Sequence, residues 1–325
     1  MIKDQWYAVL DSKEIKSQKA YAVKRLGEKM VFWRDASGKI CCISDICCHR
    51  GVSLGAGNVI GNHVECPFHG FQYDYSGKVV LIPANGKNAA VGQQYKVKSY
   101  IVRELHGLIW LYWGEAKENI PDPYFFEYLK TGFSYGTFID HWNVHYSRAV
   151  ENQLDVVHLP FVHRTTIGRG NKTLVNGPVV EREGSLLRFF LDNRVDNGTT
   201  VPLKPEQMPG YKDLFCLEFN FPNIWQNLIS DKVRAFAAFV PVDDENTIVY
   251  IRFYQKISKL PVIRNIINWF GVRSSIIILR QDKRVVITQL PKKSEMMMDE
   301  KLIMGDAPII EYRKYRHELK SAIRN

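Results

Sequence analysis

Hydrophobic positions first follow a strand-like pattern. From about residue 6 to residue 114, short β-branched and aromatic runs are separated by turn residues. The sequence DASGK at 35–39 lies between two such runs and predicts a hairpin. An apolar, aromatic run at 107–114 is typical of a buried strand. We therefore predict a small all-β domain over residues 1–115. Its other predicted strands include residues 21–23, 30–33 and 79–82.

The pattern changes after a polar segment with two prolines at 117–123, which we interpret as a linker. Helical character follows at 140–160, then a set of apolar strands, then two helices at 262–290 and 308–321. Strands followed by long helices predict an α+β second domain over residues 116–325. The predicted strands of this domain are residues 186–191, 214–219, 235–240 and 247–253.

Length and charge limit the function classes. A chain of 325 residues fits two domains. Its net charge of +10 is scattered, and we find no nucleic-acid-binding module, so we predict no nucleic-acid partner. The most apolar helical region, 261–280, contains Arg264, Asn265, Asn268 and Arg273, which predicts that it does not span a bilayer unaided. With no N-terminal targeting pattern, we expect a soluble cytoplasmic protein without membrane attachment.

Two short segments each pair a cysteine with a histidine. Cys47 and His49 stand in CCHRG, and Cys66 and His69 stand in CPFHG. Two Cys and two His could hold a zinc ion or a Rieske [2Fe–2S] cluster. The mixed pairs favour the cluster, because each loop can then give one ligand to each iron. The remaining cysteines are expected in small apolar packing, and free thiols with an iron–sulfur site predict a reducing compartment. They are Cys41, Cys42, Cys48 and Cys216.

A second polar cluster spans residues 151–163. Asp155 and His158 are three residues apart, which predicts that they share a helix face. Pro160 predicts an end or kink that swings His163 back towards His158. Two histidines beside a carboxylate suit the 2-His-1-carboxylate iron site of non-haem oxygenases. Two surface or hydrogen-bonded core histidines are the alternative.

Together, the cluster loops and Asn152-x2-Asp155-x2-His158-x4-His163 resemble the α-subunits of Rieske non-haem iron oxygenases over nearly the whole chain. The short single chain is more similar to the homo-oligomeric monooxygenase and demethylase branch. The resemblance implies a helix-grip catalytic domain (an antiparallel sheet plus helices) in 116–325, in which His158 and His163 bind Fe(II).

The same resemblance implies a third iron ligand on a later helix, a carboxylate that we carry to Asp282. This residue follows Ile278 and Leu279 at helical spacing within an apolar stripe that continues through Val285 and Val286. A carboxylate in apolar surroundings needs a cation. The alternative is an Asp at the rim, paired with Lys283 or Arg280.

The family further implies that Asp155 is a bridge between His158 and His69 of a neighbouring subunit in a homotrimer. We count Asp155 and Asn152 as candidate catalytic residues. Five residues on predicted strands are candidates for a substrate pocket, although aromatic stripes are more often plain core. They are Asn223, Trp225, Asn227, Phe236 and Phe239.

The sequence supports two functions of different class. The first is an oxygenase, expected to be a monooxygenase because the resemblance is to the monooxygenase and demethylase branch, that hydroxylates or demethylates a small organic substrate with O2. No flavin or nicotinamide fingerprint is visible, so electrons would come from a separate NAD(P)H-dependent reductase, directly or through a ferredoxin. The second is a Rieske electron carrier without oxygenase activity. About three irons per chain would indicate the oxygenase and about two the carrier.

Overall fold

The computed structural model describes residues 1–322. They form two compact units. One comprises Lys3–Pro123 together with Pro241–Asp243. The other comprises Tyr124–Val240 and the chain from Asp244 onward.

The first unit is built from short antiparallel strands in three sheets, ordered β1-β10-β9, β2-β3-β4 and β5-β6-β7-β8. This confirms the predicted all-β domain. The strands are β1 (Gln5–Asp11), β2 (Tyr21–Arg25), β3 (Glu28–Arg34), β4 (Ile40–Ser44), β5 (Asn58–Ile60), β6 (His63–Glu65), β7 (Gln72–Tyr73), β8 (Val79–Leu81), β9 (Ile101–Leu105) and β10 (Leu108–Trp113).

Two loops of this unit carry the Cys/His pairs, one between β4 and β5 and the other between β6 and β7. The Asp45 carboxylate holds the first loop by accepting hydrogen bonds from Ser53 Oγ at 2.7 Å and from the Gly55 amide at 2.6 Å. Gly57, at the end of this loop, allows a close approach to β6, because a Cβ there would lie 1.9 Å from the Glu65 carbonyl oxygen. The end of the first loop therefore lies next to Glu65, which directly precedes Cys66 of the second loop.

The second unit contains a seven-stranded sheet in the order β11-β17-β16-β15-β14-β13-β12, and its described residues also form four α-helices. An antiparallel sheet with helices confirms the predicted α+β class. The strands are β11 (Ser134–Trp142), β12 (Leu174–Glu183), β13 (Leu186–Arg194), β14 (Phe215–Asn220), β15 (Ile224–Ser230), β16 (Val233–Pro241) and β17 (Thr247–Gln255). The helices are α1 (Tyr146–Leu154), α2 (Leu159–Val162), α3 (Pro261–Val286) and α4 (Ala307–Ser321).

Helix α1 begins at a buried histidine. His145 is the N-cap, and its Nδ1 accepts from the Ser147 amide at 3.2 Å. Burial, with the nearby positive charges of Arg316 and Lys293, lowers the pKa of His145 to about 2. The imidazole is therefore neutral at physiological pH and can act as an acceptor at the helix start.

Helix α3 packs against β11 and β17. Gly271 allows this close approach, because a Cβ there would lie 2.2 Å from the Phe253 ring. Leu279, Asp282 and Val286 are buried on the same side, whereas Val285 is 40% exposed. The predicted apolar stripe was therefore wrong at Val285, which lies beyond the face that contacts the sheet.

The outer side of α3 remains apolar. By length and composition alone, this helix could cross a membrane, and its most apolar 18-residue window has a mean hydropathy of 1.3. Only 11% of that window is buried. Despite the four polar residues at 261–280, α3 is therefore a long apolar helix, and much of its surface is exposed.

Candidate functional site

The two cluster loops have the same backbone geometry. In the first, the Gly51 amide donates to the Cys47 carbonyl at 2.9 Å, and in the second the Gly70 amide donates to the Cys66 carbonyl at 3.0 Å. Gly51 and Gly70 have φ values of +74° and +72°, in the left-handed region that favours glycine. Each turn thus positions one cysteine and the histidine that follows it.

The cysteines lie inside the unit and the histidines outside. Cys47 and Cys66 are 3% and 2% exposed and belong to the hydrophobic core, whereas His49 and His69 are exposed. The two imidazole rings meet edge to face, with centroids 4.6 Å apart. A group held by all four side chains would present its histidine side to solvent and to an electron-transfer partner.

Tyr73 was not singled out by the sequence, yet it contacts this site. Its hydroxyl accepts a hydrogen bond from the Cys48 amide at 3.1 Å and lies 3.1 Å from Cys47 Sγ. Burial and the neighbouring thiols raise the pKa of Tyr73, so the hydroxyl stays protonated and can donate to a thiolate. The only sequence signal was its place seven residues after Cys66, just beyond the second loop.

Cys48 differs from the prediction that the cysteines outside the site serve apolar packing. It is exposed, and its Sγ lies 3.2 Å from the Tyr73 hydroxyl. Cys41 and Cys42 are buried as predicted. Cys48 was misjudged because its loop turns outward directly after the buried Cys47.

The second site lies where helix α1 ends. The chain leaves α1 at Leu154, and the Asp155 Oδ1 accepts from the amides of Val157 at 2.7 Å and His158 at 3.2 Å. The prediction that Asp155 and His158 share a helix face was therefore wrong. A short aspartate side chain competes for nearby backbone donors and favours a turn at this point.

Pro160 also acts differently from the prediction. It lies in the first turn of α2, where its missing N–H costs no helical hydrogen bond. The break that reorients the chain comes earlier, between Asp155 and His158. The result is nevertheless that the rings of His158 and His163 face each other, with centroids 5.2 Å apart.

Asp282, from α3, completes this group. Its Oδ1 lies 2.9 Å from His163 Nε2 and 3.5 Å from His158 Nε2. Within residues 1–322, these three form the one set of His, Cys, Asp or Glu donors that all lie within 4.8 Å of one another. The alternative partner Lys283 instead pairs with Asp140, at 2.9 Å.

The carboxylate of this group is buried. Asp282 is 2% exposed, and its Oδ1 has no hydrogen-bond partner in the described chain despite the nearby His163 Nε2. Burial alone would lower the pKa of His163, and the Asp282 carboxylate raises it above its ordinary value. A buried carboxylate between two imidazole nitrogens, with poor hydrogen-bond alignment, fits a bound cation.

Gln281 is a further contact that the sequence did not reveal. Its Oε1 lies 2.9 Å from His163 Nδ1 and accepts from Thr166 Oγ1 at 2.8 Å. A carbonyl oxygen at this position selects the tautomer with the proton on Nδ1, which leaves Nε2 free as a ligand. Its one sequence signal was its position directly before Asp282.

The pocket candidates divide into two groups. Phe236 packs among the rings of Phe125, Phe126 and Tyr254, with centroids 5.5 to 6.3 Å apart, as ordinary core does. Phe239 and Asn223 are also fully buried. Asn223 Nδ2 donates to the Phe239 carbonyl at 3.2 Å.

Trp225 and Asn227 differ from these residues. Trp225 Nε1 and Asn227 Oδ1 are buried atoms without a hydrogen-bond partner in residues 1–322. The two side chains lie on the same face of β15, two residues apart. They remain the better candidates for contacts with a polar ligand.

Two family models match this chain. Residues 5–101 match the Rieske [2Fe–2S] domain. Residues 142–322, more than half of the chain, match the vanillate O-demethylase oxygenase C-terminal domain. The chain belongs to the Rieske oxygenase α-subunits. This membership confirms the predicted cofactors, a Rieske [2Fe–2S] cluster and a mononuclear Fe(II).

Individual Rieske oxygenases are similar to this chain in sequence and in structure. Methylxanthine N1-demethylase NdmA of Pseudomonas putida is 27% identical, over 93% of this chain and 83% of its own length. The solved structure of Pseudomonas putida CBB5 NdmA has a TM-score of 0.79 at 25% identity, covering 99% of this chain and 91% of that one.

The toluene-4-sulfonate monooxygenase system iron–sulfur subunit TsaM1 of Comamonas testosteroni is 29% identical, over 60% of this chain and 58% of its own. The chain thus matches less than two thirds of the length of this relative. The chloroplastic TIC 55 protein of Pisum sativum is likewise covered over 57% of its length.

Proposed function

We propose that this protein is the oxygenase component of a system that hydroxylates a small organic substrate with O2, and that this hydroxylation can end as demethylation. The observation that carries the proposal is the convergence of His158, His163 and Asp282 in a chain that also has a Rieske domain. An electron carrier has no use for this second group. The demethylase and monooxygenase names of the relatives support the reaction class.

Cys47, His49, Cys66 and His69 would hold the [2Fe–2S] cluster. Each of the two loops offers one cysteine and one histidine, so each loop can give one ligand to each iron, which favours a two-iron cluster over a single zinc ion. Their buried sulfurs and exposed imidazoles match a cluster with one iron at the surface.

His158, His163 and Asp282 would hold the Fe(II). Bound there, the iron would supply the open positions for O2 that two imidazoles and one carboxylate leave free. The protein contributes orientation. Gln281 fixes the His163 ring, and Asp155 holds the backbone at His158.

Two polar residues near the iron site have a side-chain atom available for a further contact. Asn152 Nδ2, on α1, is a buried donor without a partner in residues 1–322. Asp155 uses Oδ1 for its own chain, and its side chain is 29% exposed. We assign Asp155 as the link to His69 of a neighbouring subunit in a homotrimer, a closed ring in which one cluster serves the next iron.

Electrons would come from a separate NAD(P)H-dependent reductase, directly or through a ferredoxin. His49, the exposed histidine that is not assigned to the contact with a neighbouring subunit, would lie at the surface for that transfer. We expect the protein in the reducing cytoplasm, and its free cysteines together with an iron–sulfur site support this expectation.

The test combines iron content with turnover. We expect about three irons per chain and, with a surrogate reductase, oxygenated or demethylated products found by mass measurement in a substrate screen. Methylated purines and methoxylated aromatic acids would start that screen, because relatives carry methylxanthine and vanillate demethylase names. About two irons per chain, with a reducible cluster and no product, would support the electron carrier instead.

The Tyr73 hydroxyl gives a first specific prediction. The hydrogen bond from Tyr73 to Cys47 Sγ stabilises the reduced cluster, because that state is more negative. Tyr73→Phe removes this hydrogen bond. We expect the cluster's potential to fall by on the order of 50 mV, equivalent to roughly 1 kcal/mol for one electron. Redox titration followed by electron paramagnetic resonance would measure it, with Tyr75→Phe as control because Tyr75 is 66% exposed. An unchanged potential would contradict the assignment.

Gln281 gives a second prediction. Gln281→Ala removes the acceptor at His163 Nδ1, and we expect the affinity for Fe(II) to fall about 10- to 100-fold while the cluster spectrum is unchanged. Equilibrium titration of the apo iron site would show this. Gln281→Glu retains an acceptor and should restore much of the affinity, and Gln289→Ala, at an exposed position beyond α3, is the control. Wild-type affinity in Gln281→Ala would exclude the positioning role.

A further inference from the structure

The outer side of α3 carries a continuous apolar and basic surface. Its members recur every three or four positions, which places them along one side of the helix. We define this outer stripe as Val262, Ile266, Trp269, Phe270, Arg273 and Ile277.

The apolar side chains of the outer stripe are largely exposed to solvent. Val262 is 71% exposed, Phe270 61%, Ile277 55%, Trp269 54% and Ile266 50%. A contiguous group of large apolar residues at the surface marks an interaction site more often than chance exposure does. The packed inner side of the same helix, at Gly271 and Leu279, shows that α3 lies on the sheet with one side only.

The charges on the outer side of α3 indicate what kind of partner this surface binds. No aspartate or glutamate occurs from Asn246 to Gln281. Arg273 and Arg280, which share this side of α3, form no ion pair with the described residues. The Arg273 guanidinium lies 5.2 Å from the centre of the Trp269 ring. A second copy that met this stripe with its own stripe would bring these arginines together without compensating carboxylates, whereas an anionic surface would satisfy them.

We propose that the outer stripe of α3 binds the surface of a membrane that contains anionic phospholipids. Trp and Phe would enter the boundary between headgroups and acyl chains, and the arginines would contact the phosphates. This revises the expectation that the protein has no membrane attachment. It makes the protein a peripheral one that does not span the bilayer.

Vesicle binding by the metal-loaded full chain tests the proposal. We expect co-sedimentation with vesicles of equal parts phosphatidylcholine and phosphatidylglycerol, weaker binding to pure phosphatidylcholine, and loss of binding as salt rises. Trp269→Ser with Phe270→Ser should lower the partition coefficient about tenfold or more. Arg273→Gln should lower it about fivefold, or about 1 kcal/mol. Tyr128→Ser with Val201→Ser is the control, since these side chains are 69% and 79% exposed.

Tryptophan fluorescence would show whether Trp269 contacts the vesicle surface. The other tryptophans, Trp6, Trp33, Trp110, Trp113, Trp142 and Trp225, are at most 9% exposed, so a blue shift on adding vesicles would report Trp269. Trp269→Phe should keep the binding and lose the shift.

Three results would overturn the proposal. They are no binding to anionic vesicles, equal binding to neutral ones, and a stripe that instead joins copies of the chain. In the last case, Trp269→Ser with Phe270→Ser would reduce the oligomer in sedimentation equilibrium without any vesicle effect. The assays need no turnover, so their outcome is independent of the proposed oxygenase activity.

Discussion

We expect Asp282→Ala to abolish turnover and to remove about one of three irons per chain, with the cluster's spectrum unchanged. The carboxylate lies 2.9 Å and 3.5 Å from the two imidazole nitrogens, and it is the sole acidic member of that group. Without it, two neutral histidines would have to hold a divalent ion alone. We expect the affinity to fall by more than about 100-fold, beyond the effect typical of residues that only support a ligand.

Iron analysis and electron paramagnetic resonance on the same sample would measure this result. Asp299→Ala is a matched control, because its carboxylate is 96% exposed and pairs with Lys301 at the surface. His158→Ala and His163→Ala should behave as Asp282→Ala does. If Asp282→Ala keeps its iron and turnover, another carboxylate is the ligand.

Asp155→Asn should leave both metal sites filled and slow electron delivery severely. Asparagine retains the Oδ1 that accepts from the amides of Val157 and His158, so the turn at the end of α1 is preserved. What it loses is the negative charge. Burial would raise the pKa of Asp155, but His158 and the backbone donors lower it below its ordinary value, so the wild-type side chain is charged at neutral pH.

Single-turnover kinetics on the pre-reduced protein would show the effect as slow reoxidation of the cluster with O2 and substrate. We expect a rate about 100-fold lower, the upper end of effects from residues that support metal ligands. Asp192→Asn is the control, since its carboxylate accepts from Asn176 and Arg194. Reoxidation at the wild-type rate would exclude the bridge, and loss of iron would indicate a purely local structural role.

The sequence by itself predicted the residues of both sites. Cys47, His49, Cys66 and His69 stand at spacings that few other sites use, and the loops that carry them are local turns. Helical periodicity was enough to place Asp282 among buried residues, because a residue's face depends on its near neighbours in sequence. The strand and helix pattern likewise indicated the α+β class.

Only the tertiary structure decided how these parts meet. The turn at Asp155, the contact of Gln281 with His163 and the approach of Tyr73 to Cys47 depend on hydrogen bonds that spacing does not encode. The pairing of β11 with β17 joins strands more than a hundred residues apart in the chain, and it creates the surface on which α3 lies. That packing buries one side of α3 with Asp282 and leaves the other open. Periodicity within one helix predicts a buried side, but which residues are covered is set by a sheet whose strands come from distant parts of the chain.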